Sequence, residues 1–190
     1  MLPEMMSVRA QLEGEMDFDL WMAGLQIGSK RPIATWEERY LKRVWNEVTE
    51  TTGQRFCGHL PDDENFIYHS EIPCRAVEAL RDFIDAPPWD FFHRLQEAFY
   101  LEARNLNNIA ELADLASPWG ISAVELNDAL GSERIIAATR ANFDRASELS
   151  ANALPTVLID TGNGPELVCG GYATADYLVE ELRLRAASTV

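Results

Sequence analysis

The chain is poor in the residues that most often announce a chemistry. Among 190 residues there are three cysteines, Cys57, Cys74 and Cys169, and three histidines. No two cysteines are spaced Cys-x-x-Cys. An odd, scattered set does not make a disulfide framework, and it fits a reducing cytoplasm, the compartment expected here. Positive charge is also scarce: 16 Lys and Arg face 31 Asp and Glu, for a net charge of -15. Such a surface repels a nucleic-acid backbone and an anionic membrane, so neither is expected as a partner. No apolar run approaches the ~20 residues of a membrane span, and no charged-then-apolar leader opens the chain. There is no Gly-rich phosphate loop, no nucleophile elbow, no repeat and no low-complexity segment. No cofactor is expected.

What is present is a globular composition, 47% hydrophobic, in a chain long enough for one domain with a sizeable core. Leu2–Glu13 reads as a helix with Met5, Val8 and Leu12 at helical spacing, stopped by Gly14. Asp17–Ala23 alternates, Phe18, Leu20 and Met22 against Asp17 and Asp19, which predicts a half-buried strand. From about Thr35 to Leu149 the pattern is helical. Thr35-x-x-Glu38 and Ser122-x-x-Glu125 read as capping boxes. Trp36, Tyr40, Val44 and Val48 form an i, i+4 stripe, and Ser70 and Asn108 are placed to start helices. Trp89–Arg104 should be helical with Phe92, Leu95 and Phe99 inward. Glu133–Leu149 carries Ile136, Phe143 and Ala146 at helical spacing. Thr156–Ile159, the turn-rich Thr161–Pro165 and Glu166–Cys169 read as a β-hairpin, and Thr174 caps a last helix through Leu178 and Leu182.

Several side chains invite a functional reading and admit a plainer one. Cys57-Gly58-His59 with His69 offers two metal-ligand types, fewer than a structural zinc needs; no metal site is expected. Cys74 near a helix start suits a lowered thiol pKa, or a small core position. Cys169, mid-strand among apolar neighbours, reads as buried and inert. His93, near Asp90 and Glu97, reads as a surface residue. Phe91, Phe92, Phe99 and Tyr100 read as core. Pro155 stands at the entry of a strand, where the missing N–H does no harm; on the residues alone this is an ordinary trans proline.

The order helix, strand, helical block, Leu154-Pro155-Thr156, hairpin, Gly170-Gly171-Tyr172, helix resembles the DsbA-like thiol–disulfide oxidoreductases. Ser70-Glu71-Ile72-Pro73-Cys74, the segment Arg94–Arg104 and Gly53-Gln54-Arg55-Phe56 are similar to their predicted protein-disulfide-isomerase branch. The resemblance implies an α/β, thioredoxin-like fold with a large helical insertion. Residues 1–31 and 150–190 would form the thioredoxin-like part and 32–149 the inserted helical subdomain of a single domain. It implies a cis Leu154–Pro155 bond, and Leu154, Pro155 and Thr156 as a substrate-binding wall. The implied activity is thiol–disulfide exchange on protein or small-molecule thiols and disulfides.

The chain departs from that pattern where the chemistry should be. The first β-strand, and the Cys-x-x-Cys that follows it in the family, are missing. No catalytic residue is assigned, and the expectation is a redox-inactive chain. In the family that strand lies between the strands equivalent to Asp17–Ala23 and Thr156–Ile159, so both should be left with an unpaired edge. A second copy of the chain, forming a homodimer, is one way to cover such an edge. Two alternatives stay open: a glutathione-dependent relative, such as the kappa-class transferases and chromene-carboxylate isomerases, or a non-enzymatic binding paralogue.

Overall fold

The computed structural model describes residues 2–188. Eight α-helices and one two-stranded antiparallel sheet are found among them. The chain divides into two compact units, Met1–Asp19 with Asp144–Val190, and Leu20–Phe143.

The first unit is built from the two ends of the chain. Helix α1 (Leu2–Gln11) ends one turn before Gly14 and buries Met5 and Val8, followed by Leu12. Strands β1 (Thr156–Asp160) and β2 (Pro165–Gly170) pair from Thr156↔Gly170 to Asp160↔Pro165, with a bulge between Val157 and Leu158. Pro165 takes the first position of its strand, as a residue without an N–H must. The turn is four residues long, one shorter than expected, and the Asp160 carboxylate closes it by accepting the Gly162 and Gly164 amides at 2.8 and 3.1 Å. Helix α8 (Ala175–Ala187) starts at Thr174, whose hydroxyl accepts the Tyr177 amide. Val8, Leu12, Val157, Ile159, Val168, Leu178 and Leu182 form one apolar core. Glu4 joins the chain ends by accepting the Ala175 amide at 2.7 Å.

The second unit is helical: α2 (Thr35–Thr52), α3 (Glu71–Leu80), α4 (Trp89–Tyr100), α5 (Ile109–Ala116), a 3-10 turn at Ser117–Trp119, α6 (Ala123–Gly131) and most of α7 (Glu133–Glu148). The Ser122–Glu125 capping box forms as expected, and Asn108 caps α5 through the Ala110 amide at 2.9 Å. Trp45, Phe56, Phe99 and Tyr100 stack and cross within 5.0–6.4 Å of one another, and Leu60 and Phe66 join them in a second core.

Four expectations are corrected. Asp17–Ala23 is not a strand: its side chains do alternate, with Leu20 and Met22 buried, but the only sheet among the described residues is β1–β2. A strand is defined by a ladder, and β1 likewise has no strand on its second edge among the described residues. A side chain substitutes at one point, where the Arg81 guanidinium donates to the Leu20 carbonyl. Second, α2 begins one residue early. Ala34 occupies the cap, and Glu37, not Glu38, reaches back to its amide at 2.8 Å while pairing with Arg31. The α2 stripe is correspondingly rotated: Trp36 and Tyr40 face outward, and Trp45 is the buried residue. Third, Phe91 rather than Phe92 is the fully buried phenylalanine of α4, and Ile135 rather than Ile136 that of α7. Fourth, Cys169 is partly buried rather than buried.

Candidate functional site

The segment before β1 is fixed by short-range bonds. Beyond α7, the Ala151 amide donates to the Ala146 carbonyl at 2.9 Å, and Ser150 takes a left-handed conformation with φ 53°. The Leu154–Pro155 bond is cis, the isomer implied by the resemblance. On either side of it the backbone is tied down. The Thr156 hydroxyl donates to the Ala153 carbonyl at 2.8 Å, and the Gly171 amide donates to the Pro155 carbonyl at 2.9 Å. Gly171 sits at φ 89°, a conformation natural to glycine, which lets the chain leave β2 while still bonding to Pro155.

Leu154 is what these bonds leave out. Its side chain is 46% exposed. Its amide and carbonyl are bonded to no other described residue. A backbone donor and acceptor held open beside a strand entry can bind an extended segment in the manner of an added strand. Leu154, Pro155 and Thr156 are therefore contiguous and fixed, Thr156 through its hydroxyl. Ala153 and Gly171 complete the support; of the two, only Gly171 has a signal in the sequence, as part of Gly170-Gly171-Tyr172 after the hairpin.

The three thiols are all free, Cys74 buried and Cys57 and Cys169 partly buried. Cys74 is 7% exposed, and burial pushes its thiol up to about 11, outweighing the opposing effect of its hydrogen bonds with the Ser70 hydroxyl and the Gly24 backbone. It is a protonated core residue at neutral pH, whereas exchange needs a thiolate. Ser70 precedes α3, but its hydroxyl accepts the Leu25 amide at 2.6 Å rather than capping its own helix. Cys169 lies opposite Val157 in the ladder and packs against the apolar core of its unit. Cys57 donates to the His59 carbonyl at 3.1 Å, and the His59 ring faces the Leu60 carbonyl.

His93 lines a groove of about 510 Å3 with Asp90, Arg94, Arg104 and Trp119. Both arginines are already engaged: Arg94 binds Glu102 through two bonds of 2.6 and 2.9 Å, and Arg104 binds Glu111 and Asp114. His93 stands 3.6 Å from Glu97 on the same helix, as a surface residue would.

No protein-family model matches the chain, and no curated protein matches it. Solved structures do. The crystal structure of a putative protein disulfide isomerase from Nitrosomonas europaea superposes with a TM-score of 0.88 at 23% identity, covering 98% of this chain and 90% of that one. The cytosolic disulfide reductase DsbM from Pseudomonas aeruginosa superposes with a TM-score of 0.70 at 19% identity, over 97% of this chain and 88% of that one. The same reductase with GSH gives 0.69 at 19% identity, with the same coverage. At these identities the likeness establishes architecture: the chain has the α/β, DsbA-like thioredoxin fold with its helical insertion.

Proposed function

We propose that the chain is a DsbA-type thiol–disulfide exchange scaffold that binds thiol- or disulfide-bearing substrates at Leu154-Pro155-Thr156 but carries out no exchange by itself. The observation that carries this reading is the open backbone of Leu154, held between two bonds that fix its neighbours. An extended substrate strand laid against Leu154 gains main-chain hydrogen bonds without displacing any internal partner. The redox-silent half rests on the thiols. Exchange requires a thiolate to attack a disulfide sulfur and a second sulfur to leave. This chain has no Cys-x-x-Cys, and its most buried thiol is held protonated.

The substrate side has two forms, a cysteine-containing peptide and a small thiol. The GSH complex of DsbM, a fold relative, supports glutathione as the small thiol. A reducing cytoplasm is part of the reading, because all three cysteines are free thiols.

The test is an amide-resolved NMR titration of the whole chain with a disulfide-containing peptide and, separately, with glutathione. The Leu154 and Thr156 amides are expected to move most. Binding that leaves Leu154 unmoved, or no binding, overturns the site. An insulin-reduction assay with dithiothreitol should run at the same rate with and without the chain; acceleration overturns the redox-silent half.

A further inference from the structure

We infer that the outer edge of β1 accepts an extended polypeptide segment, apolar at alternate positions, as an added third strand. This edge goes beyond Leu154, which lies before the strand. The Gly171 amide donates to the Pro155 carbonyl, and the ladder runs on through Thr156↔Gly170 and Val157↔Cys169. Opposed residues of an antiparallel pair alternate between exchanging bonds and exchanging none. Pro155 and Val157 therefore turn their backbone groups towards β2, and Thr156 turns away. The extra residue at the bulge, Val168, belongs to β2, so the alternation along β1 is unbroken and Leu158 also turns away. No strand lies on that side among the described residues. Neither Thr156 nor Leu158 has a backbone bond outside the ladder to another described residue.

The other edge of the same hairpin is closed. Leu167 stands opposite Leu158 in a pair that exchanges no bonds, so its carbonyl points outward, and there the Arg185 guanidinium donates to it at 2.7 Å. Pro165, Glu166 and the bulged Val168 lie on that strand as well. Proline, charged side chains and bulges are the devices that keep an edge from pairing. From Thr156 to Ile159, β1 carries none of them. The occupant follows from the groups that meet it. Backbone donors and acceptors presented at every second residue are matched by another strand. Its side chains on one face would lie beside Val157 and Ile159, both buried in the core of the unit, and on the other face beside Thr156 and Leu158. Such neighbours favour apolar and β-branched residues. A net charge of -15 disfavours an acidic segment, and a second copy of this chain for the same reason. Cysteine has no part in this recognition.

Amide hydrogen exchange of the full chain, read by NMR with and without the cysteine-free peptide Lys-Val-Thr-Val-Thr-Val-Lys blocked at both ends, tests this. In the free chain the Thr156 and Leu158 amides should exchange faster than those of Val157 and Ile159. The peptide should slow Thr156 and Leu158 and leave the other two as they were; glutathione should not slow Leu158. Leu158→Pro removes an outward amide and no ladder bond, and should weaken peptide binding about tenfold or more. Leu158→Thr keeps that amide and should bind within about threefold of the parent chain. Slow exchange at Val157 and Ile159 checks that each variant keeps its hairpin. Slowing at Leu154 without Leu158 overturns the edge and leaves the Leu154 site standing. Unchanged exchange at Thr156 and Leu158, or equal binding by Leu158→Pro, also overturns the edge. Protection of these amides that rises with chain concentration, without peptide, assigns the edge to a second copy and overturns the peptide as its occupant.

Discussion

The two units hold themselves together by opposite means. In the sheet unit the core is assembled from α1, the hairpin and α8, so residues near position 8 pack against residues near position 178. In the helical unit the backbone is satisfied turn by turn, and its caps act over two or three residues. The first arrangement closes a very long loop before any contact forms, while the second gains at each step. The difference shows where a segment can lose its partner. A helix without neighbours still bonds itself, but a strand without neighbours is no strand, and Asp17–Ala23 is the instance.

The largest break in that comparison should come from Leu178, fully buried between chain ends. Leu178→Ala should cost about 3–5 kcal/mol, the transfer of a leucine plus the cavity left behind. Because the core is non-local, hydrogen exchange should accelerate along α1 and β1 as well as α8. Loss of protection confined to α8 would show that the chain ends do not stabilise one another.

Much of the helical unit was legible because its signals are local. Asn108 and Ser122 each act within a few residues, and the structure uses them where they stand. The hairpin was legible for the same reason. What the sequence concealed was rotation and partnership. Trp36 and Tyr40 share a helical stripe with Val44, yet α2 turns Trp45 inward, because the aromatic cluster that chooses its face comes from Phe56, Phe99 and Tyr100 far along the chain. The alternation at Asp17–Ala23 was read correctly as burial and wrongly as a ladder. Of the candidate site, Pro155 and its neighbours were legible only through resemblance. The open Leu154 backbone follows from the Thr156 and Gly171 bonds, which no local pattern encodes.

Cys74 stands between the two regimes, with a local partner in Ser70 and a remote one in the Gly24 backbone. Its thiol is raised from 9.0 to about 11, so the folded chain favours the protonated form. The contribution is fully present below pH 9.0 and is lost as pH rises towards about 11. Stability in urea should therefore be flat to about pH 9 and then fall, with about 2–3 kcal/mol owed to this group. Partly buried Tyr68 and Tyr100 are raised as well and steepen the same decline. Cys74→Ala isolates the thiol: the gap in stability between it and the parent chain should change between pH 8 and pH 11. A constant gap would remove Cys74 from the titration.

The smallest effect should be the most local. Asn108 caps the eight-residue helix α5 by accepting the Ala110 amide at 2.9 Å. Asn108→Ala leaves that amide to water, at a cost of about 1 kcal/mol. The apolar face of α5, with Leu112 fully buried and Leu115 nearly so, still packs as before, so the helix remains and only its first turn frays. Exchange should quicken at Ala110 and Glu111 and stay unchanged in α1, β1 and α8, the reverse of the Leu178→Ala pattern. If the capping loss instead spread to the sheet unit, local satisfaction would not be what distinguishes the two.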